Sequence, residues 1–489
     1  MQRFKQYING QFEEGTDHFE SVNPATGLPW AMFPAASEAD VNRAVNAAEN
    51  ALYNSAWTTT TATQRGKMLR RLADLITEHA TELGDLETID SGKLAKETRS
   101  QTGYVADYYL YYAGLADKIQ GDVIPIDKPN FHVFTTREPI GVVAAIVPWN
   151  AQMFLAATKI APALAAGNTV VVKASEQAPA AMLKFAELID EAGFPPGVVN
   201  IITGFGEPCG RALTAHPKVA RVAFTGGPET ARHIIRNTSE NFAHVSLELG
   251  GKSPILVFDD ADLEGAVNGI IAGNYGASGQ SCVAGSRVFV QSNIYDQVLA
   301  KIKERAAQII IGDPLAEATQ IGPLATTAQL ERAERVVANS VEQGARLVCG
   351  GKRPAHMGEG WYFEPTLLAC PDQSIESVQT EFFAPVISAI QFDTEAEAIA
   401  MANDTRFGLA SGIFTENLAR AHRVSKQIRA GIVYVNTYRV ISPLAPFGGF
   451  KQSGGSREAG MDVIHDYTRT KTTWINTSDQ PMANPFVMR

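Results

Sequence analysis

Short apolar runs alternate with helix-like stretches in the middle of this chain, and that alternation limits the possible folds more than any other feature. The runs are bounded by turn residues and lie at Val142–Val147, Thr169–Val172, Val199–Ile202, Val222–Phe224 and Pro254–Phe258. Helical patterns such as Ala178–Ala192 separate them. A second alternation follows Cys282, with candidate strands at Arg287–Gln291 and Val386–Phe392. Strands that alternate with helices in this way predict βαβ units and mostly parallel sheets.

Two segments fall outside this alternation. Residues from Gly121 to Arg137 alternate polar and apolar side chains, which predicts a hairpin that stands off the first domain. Tyr467–Ile475 reads as one more isolated strand. Open strand edges usually need a partner, so we expect subunit association; surface hairpins with edges covered by loops are the alternative.

Composition narrows the class of protein. The chain has 489 residues, 45% of them hydrophobic, which predicts about three globular domains. Its net charge of −10 argues against a nucleic-acid-binding face. No run is long and apolar enough to span a membrane, and the first seven residues lack the apolar core of a signal peptide. The four cysteines form no Cys-x-x-Cys pair, so we expect a reducing cytoplasm and no metal site.

Three side chains are candidates for chemistry. Cys282 lies in the small-residue segment Gly279–Gly285, where the backbone can approach a ligand and supply N–H groups to an oxyanion. Glu248 stands between two leucines before Gly250, where burial would raise its pKa toward a useful general-base range. Asn150 follows a strand end and could donate to an oxyanion.

Each candidate also has an ordinary structural interpretation. Cys282 could be a small core residue, Glu248 the solvent-facing residue of an alternating strand, and Asn150 a turn residue or helix cap. The other cysteines lack a glycine-rich setting and are interpreted as structural.

Two strand ends carry the pattern of a dinucleotide site. Phe224-Thr225-Gly226-Gly227-Pro228 joins a strand to a helix, and such a helix N-terminus can bind a diphosphate. Lys173 and Glu176 follow another strand and could hold a ribose. The alternative is that they belong to a solvated charged loop. The glycines from Gly204 to Gly210 have the wrong spacing for the usual dinucleotide loop.

Together these segments resemble the aldehyde dehydrogenase superfamily. The resemblance runs from about Tyr7 to Trp474, and it rests on motifs in a fixed order: Asn23–Gly27, Pro148-Trp149-Asn150, Lys173–Glu176, Phe224-Thr225-Gly226, Leu247–Pro254, Gly279–Arg287, Glu381-Phe382-Phe383 and Pro446–Gly449. It implies an α/β fold with a Rossmann-like cofactor domain, an α/β catalytic domain and a small β oligomerisation element.

The resemblance also implies how the domains divide the chain. The NAD-binding domain would comprise residues 1–118 and 140–250, and the catalytic domain residues 251–446. Residues 119–139 and 467–489 would form the oligomerisation element of a dimer or tetramer. Residues 447–466 would return to pack at the mouth of the active site.

The roles that the resemblance implies are specific. Cys282 would attack a small-molecule aldehyde to give a thiohemiacetal and then a thioester, with Asn150 and the Cys282 N–H holding the oxyanion. Glu248 would activate the hydrolytic water. The implied cofactor contacts are Trp149, Lys173, Ser175, Glu176, Gly206, Gly226, Gly227, Leu249, Glu381 and Phe383.

The implied cofactor is NAD rather than NADP, because a carboxylate at Glu176 would repel a 2′-phosphate. The sequence departs from the family where Gly227-Pro228 replaces the usual serine position and Ala231 replaces a glycine. A hydroxyl contact to the diphosphate is therefore lost.

The substrate residues are placed relative to the motifs. Gln152 and Thr158 after Asn150, with Arg439 and Phe447 on the other wall, predict a wide and polar pocket. We expect a polar or carboxylate-bearing semialdehyde, or its cyclic hemiacetal, with Arg439 as an anion contact; an outward-facing surface arginine is the alternative. The pattern is similar to a bacterial catabolic branch that includes a hydroxylactone dehydrogenase of trigonelline breakdown.

Two other functions compete. A CoA-acylating dehydrogenase would pass the thioester to CoA and would not need a base such as Glu248. A binding or structural protein could keep the fold without activity, but retention of Cys282, Glu248 and Asn150 argues against it.

Overall fold

The computed structural model describes residues 1–487. Its strands, in chain order, are β1 (Gln2–Arg3), β2 (Gln6–Ile8), β3 (Gln11–Glu13), β4 (Asp17–Asn23), β5 (Leu28–Ala35), β6 (Phe131–Pro139), β7 (Val142–Ile146), β8 (Thr169–Ala174), β9 (Val199–Thr203), β10 (Val219–Thr225), β11 (His244–Glu248), β12 (Pro254–Val257), β13 (Arg287–Gln291), β14 (Arg346–Cys349), β15 (Thr366–Ala369), β16 (Val386–Phe392), β17 (Ala410–Phe414), β18 (Ile432–Val435) and β19 (Thr468–Asn476).

Fifteen α-helices accompany these strands within the described residues. They are α1 (Glu38–Asn54), α2 (Ala62–Glu78), α3 (Ala80–Ser91), α4 (Ala95–Leu115), α5 (Gln152–Ala165), α6 (Ala180–Glu191), α7 (Arg211–Ala215), α8 (Pro228–Asn237), α9 (Leu263–Asn274), α10 (Tyr295–Gln308), α11 (Thr327–Glu342), α12 (Glu376–Gln379), α13 (Glu395–Asn403), α14 (Leu418–Gln427) and α15 (Val463–Asp466).

The first large sheet has the order β11-β10-β7-β8-β9-β2-β3 and is parallel from β11 to β9. Both of its faces are buried. Val143 and Ala145 of β7 pack into the core that includes α5, and Val142 and Ala144 pack into the core that includes α1. Strands covered on both faces read as continuous apolar runs, which is the pattern that predicted a parallel sheet. That prediction is confirmed.

The second large sheet has the order β14-β15-β16-β13-β12-β17-β18, and only its edge strand β14 is antiparallel. Strand β11 of the first sheet ends at Glu248, and β12 of the second begins at Pro254. The five residues between them therefore cross from one sheet to the other. This crossing places the candidate base at the boundary between the two α/β units.

Besides a three-stranded sheet of order β1-β5-β4, the structure has a two-stranded ribbon, which corrects the hairpin expected at residues 121–137. Strand β6 pairs antiparallel with β19 over its whole length, from Phe131↔Asn476 to Pro139↔Thr468. Residues 121–137 pair with one another only over a short stretch, where Ile124 N donates to Val133 O at 2.9 Å. The C-terminal strand is therefore not isolated. Residues 488–489 of the predicted oligomerisation element lie outside the described residues.

Among residues 1–487, no helix is long and apolar enough to cross a membrane.

Candidate active site

A cavity of about 520 Å³ lies between the two large sheets, where loops from both units meet. The first sheet contributes residues that follow β7, β8, β10 and β11, and the second unit contributes three predicted residues. The predicted site residues that line it are Trp149, Asn150, Ser175, Glu176, Gly226, Gly227, Glu248, Leu249, Cys282, Glu381 and Phe383. Ligands of open α/β sheets bind at such carboxyl ends of parallel strands.

A second cavity, of about 570 Å³, shares several of these walls and extends over the first sheet. Lys173 and Gly206 line it, together with Ser175 and Glu176. Lys173 Nζ lies 3.2 Å from Glu176 Oε2, so the ammonium and the carboxylate sit side by side at the end of β8. The two cavities together form a continuous elongated cleft along the strand ends.

The segment that carries Cys282 is held in an unusual backbone conformation. Ala277 and Ser278 both have φ of 53°, a left-handed conformation that non-glycine residues rarely adopt. The segment is tied at both sides: Asn150 Nδ2 donates to Gln280 O at 3.0 Å, and Gln280 Oε1 accepts from Ala325 N at 2.9 Å. Asn150 therefore contacts the nucleophile segment directly.

Burial governs the electrostatics of Cys282. Cys282 lines the cavity, and burial raises the pKa of its thiol to about 12, with the Glu381 and Glu248 carboxylates adding to the effect. A thiol in this setting is protonated at neutral pH. It needs a base to become a nucleophile.

Glu248 meets the requirement for such a base. Its side chain is only 3% exposed, and neither carboxylate oxygen has a hydrogen-bond partner among the described residues. Burial raises its pKa well above the ordinary value, and the Glu458 carboxylate raises it further. A carboxylate without donors is poorly stabilised as an anion, so its affinity for a proton is high.

A buried polar network lies next to Glu248, and sequence reasoning missed it. The Lys159 ammonium donates to Thr225 Oγ1 at 2.7 Å and to Glu458 Oε1, and Thr158 Oγ1 donates to Glu458 Oε2 at 2.7 Å. Lys159 is fully buried and is the only charged residue of the mostly apolar helix α5. That lone charge in an apolar helix is the signal that could have revealed the network, since a buried charge needs a partner.

Glu381 is anchored in a way that Glu248 is not. Its Oε1 accepts a hydrogen bond from Gly251 N at 2.8 Å, and burial raises its pKa to about 7. A Cβ atom at Gly250 would lie 1.8 Å from Glu381 Oε2, so only glycine permits this contact. Phe383 follows with φ of 50°, and its ring meets the Trp149 ring edge-on at 5.9 Å.

Two of the three predicted substrate residues bond to backbone carbonyls elsewhere in the protein, and their role in substrate binding stays a prediction. Gln152 is fully buried, and its amide donates to Ala178 O, because α5 turns this side chain toward the protein interior. Arg439 donates from Nη1 to Ala272 O at 3.0 Å, near the end of α9, and lines neither cavity. Helix carbonyls at a C-terminus lack internal donors, which explains the contact.

The third predicted substrate residue, Phe447, also lines neither cavity. Phe447 packs against the same apolar cluster as Cys282 and pairs through its backbone with Glu458. It therefore lies on the return segment beside the polar network. Thr158, expected to widen the pocket, is also buried and bonded to Glu458.

The two sheets and the cleft between them define an α/β enzyme with its site at the strand ends. The chain belongs to the aldehyde dehydrogenase family, which matches residues 12–473. It is an aldehyde dehydrogenase, an oxidoreductase that acts on aldehydes. The family and fold expected from the motifs are thereby confirmed.

Relatives cover the whole chain. The (Z)-2-((N-methylformamido)methylene)-5-hydroxybutyrolactone dehydrogenase of Acinetobacter baylyi is 58% identical over 100% of both chains. A betaine aldehyde dehydrogenase structure from Staphylococcus aureus, in complex with NAD+, matches with a TM-score of 0.96 at 38% identity, covering 99% of this chain and 96% of its own. An NAD+ complex of aldehyde dehydrogenase from Bacillus cereus matches with a TM-score of 0.95 at 38% identity, covering 98% and 97%.

Proposed function

We propose that this enzyme oxidises a carboxylate-bearing aldehyde, which equilibrates with its ring-closed hydroxylactone, to the corresponding acid with NAD. One structural observation carries the proposal: Cys282 and the unpartnered, buried Glu248 line the same cavity. The relative at 58% identity, named for a hydroxybutyrolactone, supports the substrate class.

The chain's own residues account for the covalent steps. Glu248 removes the thiol proton of Cys282, and the sulfur attacks the aldehyde carbon to form a thiohemiacetal. Asn150 Nδ2 and the Cys282 N–H are the proposed donors to the oxyanion. After oxidation, and once its first proton has passed to solvent, Glu248 accepts a proton from water as that water attacks the thioester. This proton returns to the departing sulfur, so the acid is released and the thiol is restored.

The cleft suits a dinucleotide. Gly226 and Gly227 precede α8, whose N-terminus provides free N–H groups for a diphosphate. Lys173 and Glu176 border the second cavity, and Glu381 borders the first, so each can bond ribose hydroxyls. The chemistry that bound NAD supplies is acceptance of the hydride from the carbon attached to Cys282.

We propose NAD rather than NADP because of the position of Glu176. Its carboxylate lies next to Lys173 at the end of the second cavity, where an added 2′-phosphate would meet a like charge. Two solved relatives at 38% identity hold NAD+. Replacing Glu176 with Gln should therefore raise the ratio of NADP to NAD turnover.

The substrate class follows from the chemistry of a hydroxylactone. A 5-hydroxybutyrolactone is the ring-closed form of a 4-oxobutanoate, in which the carboxyl oxygen has added to the aldehyde carbon. Ring opening frees both the aldehyde and a carboxylate. An enzyme for this substrate must attack the aldehyde while it accommodates a polar acceptor group three carbons away.

A panel of aldehydes tests the proposal. NAD and NADP reduction would be followed with 4-oxobutanoate, butanal and an aromatic aldehyde, with and without CoA, for the wild type and Cys282→Ala. We expect the highest kcat/KM with 4-oxobutanoate and NAD, no CoA requirement, and no turnover by the variant. A preference for butanal would refute the substrate class, and a dependence on CoA would refute hydrolysis by Glu248.

We also propose that the ribbon mediates homo-oligomerisation. Within the described residues β19 pairs only with β6, so its other edge is free, whereas the other edge of β6 is partly paired with residues 122–124. Trp474 is 55% exposed on this ribbon, beside the exposed Phe131 and Ile475. Light scattering of the wild type and Trp474→Glu would test the assembly, and a monomeric wild type would refute it.

A further inference from the structure

The helix end proposed to bind the diphosphate of NAD is poorly equipped to do so alone. Pro228, the first residue of α8, has no N–H group, and the N–H of Gly226 already donates to Glu248 O at 3.1 Å. Gly227, the N-cap residue, brings no side-chain donor. A diphosphate carries two negative charges, so this site needs positive charge from another part of the cleft.

Two arginines of the second α/β unit bring positive charge to the same cavity. Arg332 of α11 and Arg406, which follows α13, are the only cationic side chains that line the first cavity within the described residues. Arg332 is half-buried, yet neither guanidinium forms an ion pair among residues 1–487. An unpaired guanidinium on a cavity wall suits an anion, because its planar donors match the spacing of phosphate oxygens.

The neighbouring carboxylate indicates which part of a dinucleotide these arginines would meet. Glu381 is the proposed contact of ribose hydroxyls in the cavity that also contains Cys282, so this ribose is the one attached to the nicotinamide. Burial raises the pKa of Glu381 to about 7, and the charges of Arg332 and Arg406 oppose that shift. Both arginines are therefore near Glu381 without being paired to it. The next group along the cofactor is the phosphate attached to that ribose.

We propose that Arg332 and Arg406 bind the phosphate next to the nicotinamide ribose and form the cationic half of the diphosphate site. This rests on the proposed function, since it requires a dinucleotide in the cleft. The first α/β unit contributes Gly227 and the N–H groups of α8, and the second unit contributes the charge. Bound diphosphate then links the two units and neutralises guanidiniums that the fold leaves without partners.

Direct binding tests this site without turnover. The Kd would be measured for NADH by its fluorescence, and for ADP-ribose, ADP and AMP by competition with NADH, in the absence of aldehyde. The variants are Arg332→Met, Arg332→Lys and Arg406→Met, with Arg335→Met as the matched control. Arg335 lies three residues further along α11 and lines neither cavity, and its Nη1 donates to Glu376 Oε1 at 3.3 Å. Methionine keeps an apolar stem and removes the charge.

We expect Arg332→Met to raise the Kd of NADH, ADP-ribose and ADP by about 10- to 100-fold, the range of a hydrogen bond to a charged group. Arg332→Lys should recover part of this affinity, because it keeps a positive charge. Arg406→Met should act in the same direction by a smaller factor, since this side chain is exposed. AMP lacks the phosphate on the nicotinamide side, so its Kd should not change. Arg335→Met should match the wild type.

Other patterns would overturn the site. A loss with NADH and ADP-ribose but not with ADP would mean that Arg332 contacts the ribose. Unchanged NADH binding with a raised KM for 4-oxobutanoate would mean that it contacts the substrate carboxylate. An equal loss in Arg335→Met would show that general charge on α11 is responsible rather than a contact.

This site and the proposed function fail in different ways. Aldehyde is absent from the binding measurements, so a wrong substrate class would leave the expected losses in place. A wild type that binds NADH as tightly as Arg332→Met does would overturn the arginine site alone. A wild type that binds neither NADH nor ADP would overturn the proposed cofactor together with this site.

Discussion

Glu248 and Glu381 line the same cavity, but their carboxylates differ in hydrogen bonding. Neither oxygen of Glu248 has a donor among the described residues, whereas Glu381 accepts a hydrogen bond from Gly251 N. Burial is the main cause of the raised pKa of both, but only Glu248 also has a strong effect from a neighbouring carboxylate, that of Glu458. Under the proposed function, the unpartnered carboxylate takes a proton and the anchored one binds hydroxyls. The comparison teaches that hydrogen-bond donors, rather than burial, distinguish these two carboxylates.

The largest expected effect is that of Glu248→Gln. An amide cannot accept the proton of water, so kcat should fall by roughly 10²- to 10⁴-fold. A stopped-flow trace should also lose the burst of NADH, because Cys282 loses the base that removes its thiol proton. A variant that keeps the burst would confine Glu248 to the hydrolytic step, and a variant that keeps wild-type kcat would contradict both roles.

Glu381→Gln should affect cofactor binding instead. Loss of the charged acceptor should raise the KM for NAD by about 10- to 100-fold, the range of a hydrogen bond to a charged group, with a smaller change in kcat. Steady-state kinetics at saturating aldehyde would measure both constants. A variant with unchanged KM but reduced kcat would mean that Glu381 acts in chemistry rather than binding.

The pH dependence of the kinetic constants should also distinguish the two carboxylates. Both carboxylates act as anions and both have raised pKa values, so activity should fall as the pH falls, at a higher pH than for ordinary glutamates. For Glu381, with a pKa of about 7, the loss should appear near neutrality in kcat/KM for NAD. For Glu248 it should appear in kcat. If kcat/KM for NAD fell near neutral pH in the Glu381→Gln variant as it does in the wild type, the assignment of this fall to Glu381 would be wrong.

The smallest effect concerns the network beside Glu248. Thr158→Val removes the donor to Glu458 Oε2 and should lower the free energy of unfolding by about 1–3 kcal/mol, measured with urea. Thr169→Val is the control, because the buried Thr169 hydroxyl has no partner among residues 1–487 and its loss should cost nothing. Equal destabilisation of the two would show that the Thr158 hydrogen bond is not what stabilises this region.

The main features of the fold could be predicted from local patterns. The apolar runs from Val142 onward indicated buried parallel strands, and the glycine-rich segment around Cys282 indicated a loop at their ends. The resemblance then selected residues, and eleven of the predicted catalytic and cofactor residues line one cavity. Long-range pairings carried no such local signal: β6 pairs with β19, and Lys159 bonds Glu458, 299 positions away.

The directions in which side chains point could not be predicted from the sequence either. Gln152 and Arg439 stand close in sequence to functional motifs, yet one bonds Ala178 O inside the protein and the other bonds Ala272 O near a helix end. A spacing rule places a residue near a site but does not decide which way its side chain points. That depends on which unpaired carbonyl lies within reach after packing.

The sequence by itself determined the strands, the glycine-rich turns and the reactive residue types, because these depend on a residue and its near neighbours. The tertiary structure alone decided which carboxylate is left without donors and which strands share an edge. Those outcomes depend on segments far apart in the chain, since a buried polar group takes its properties from whatever the fold packs against it.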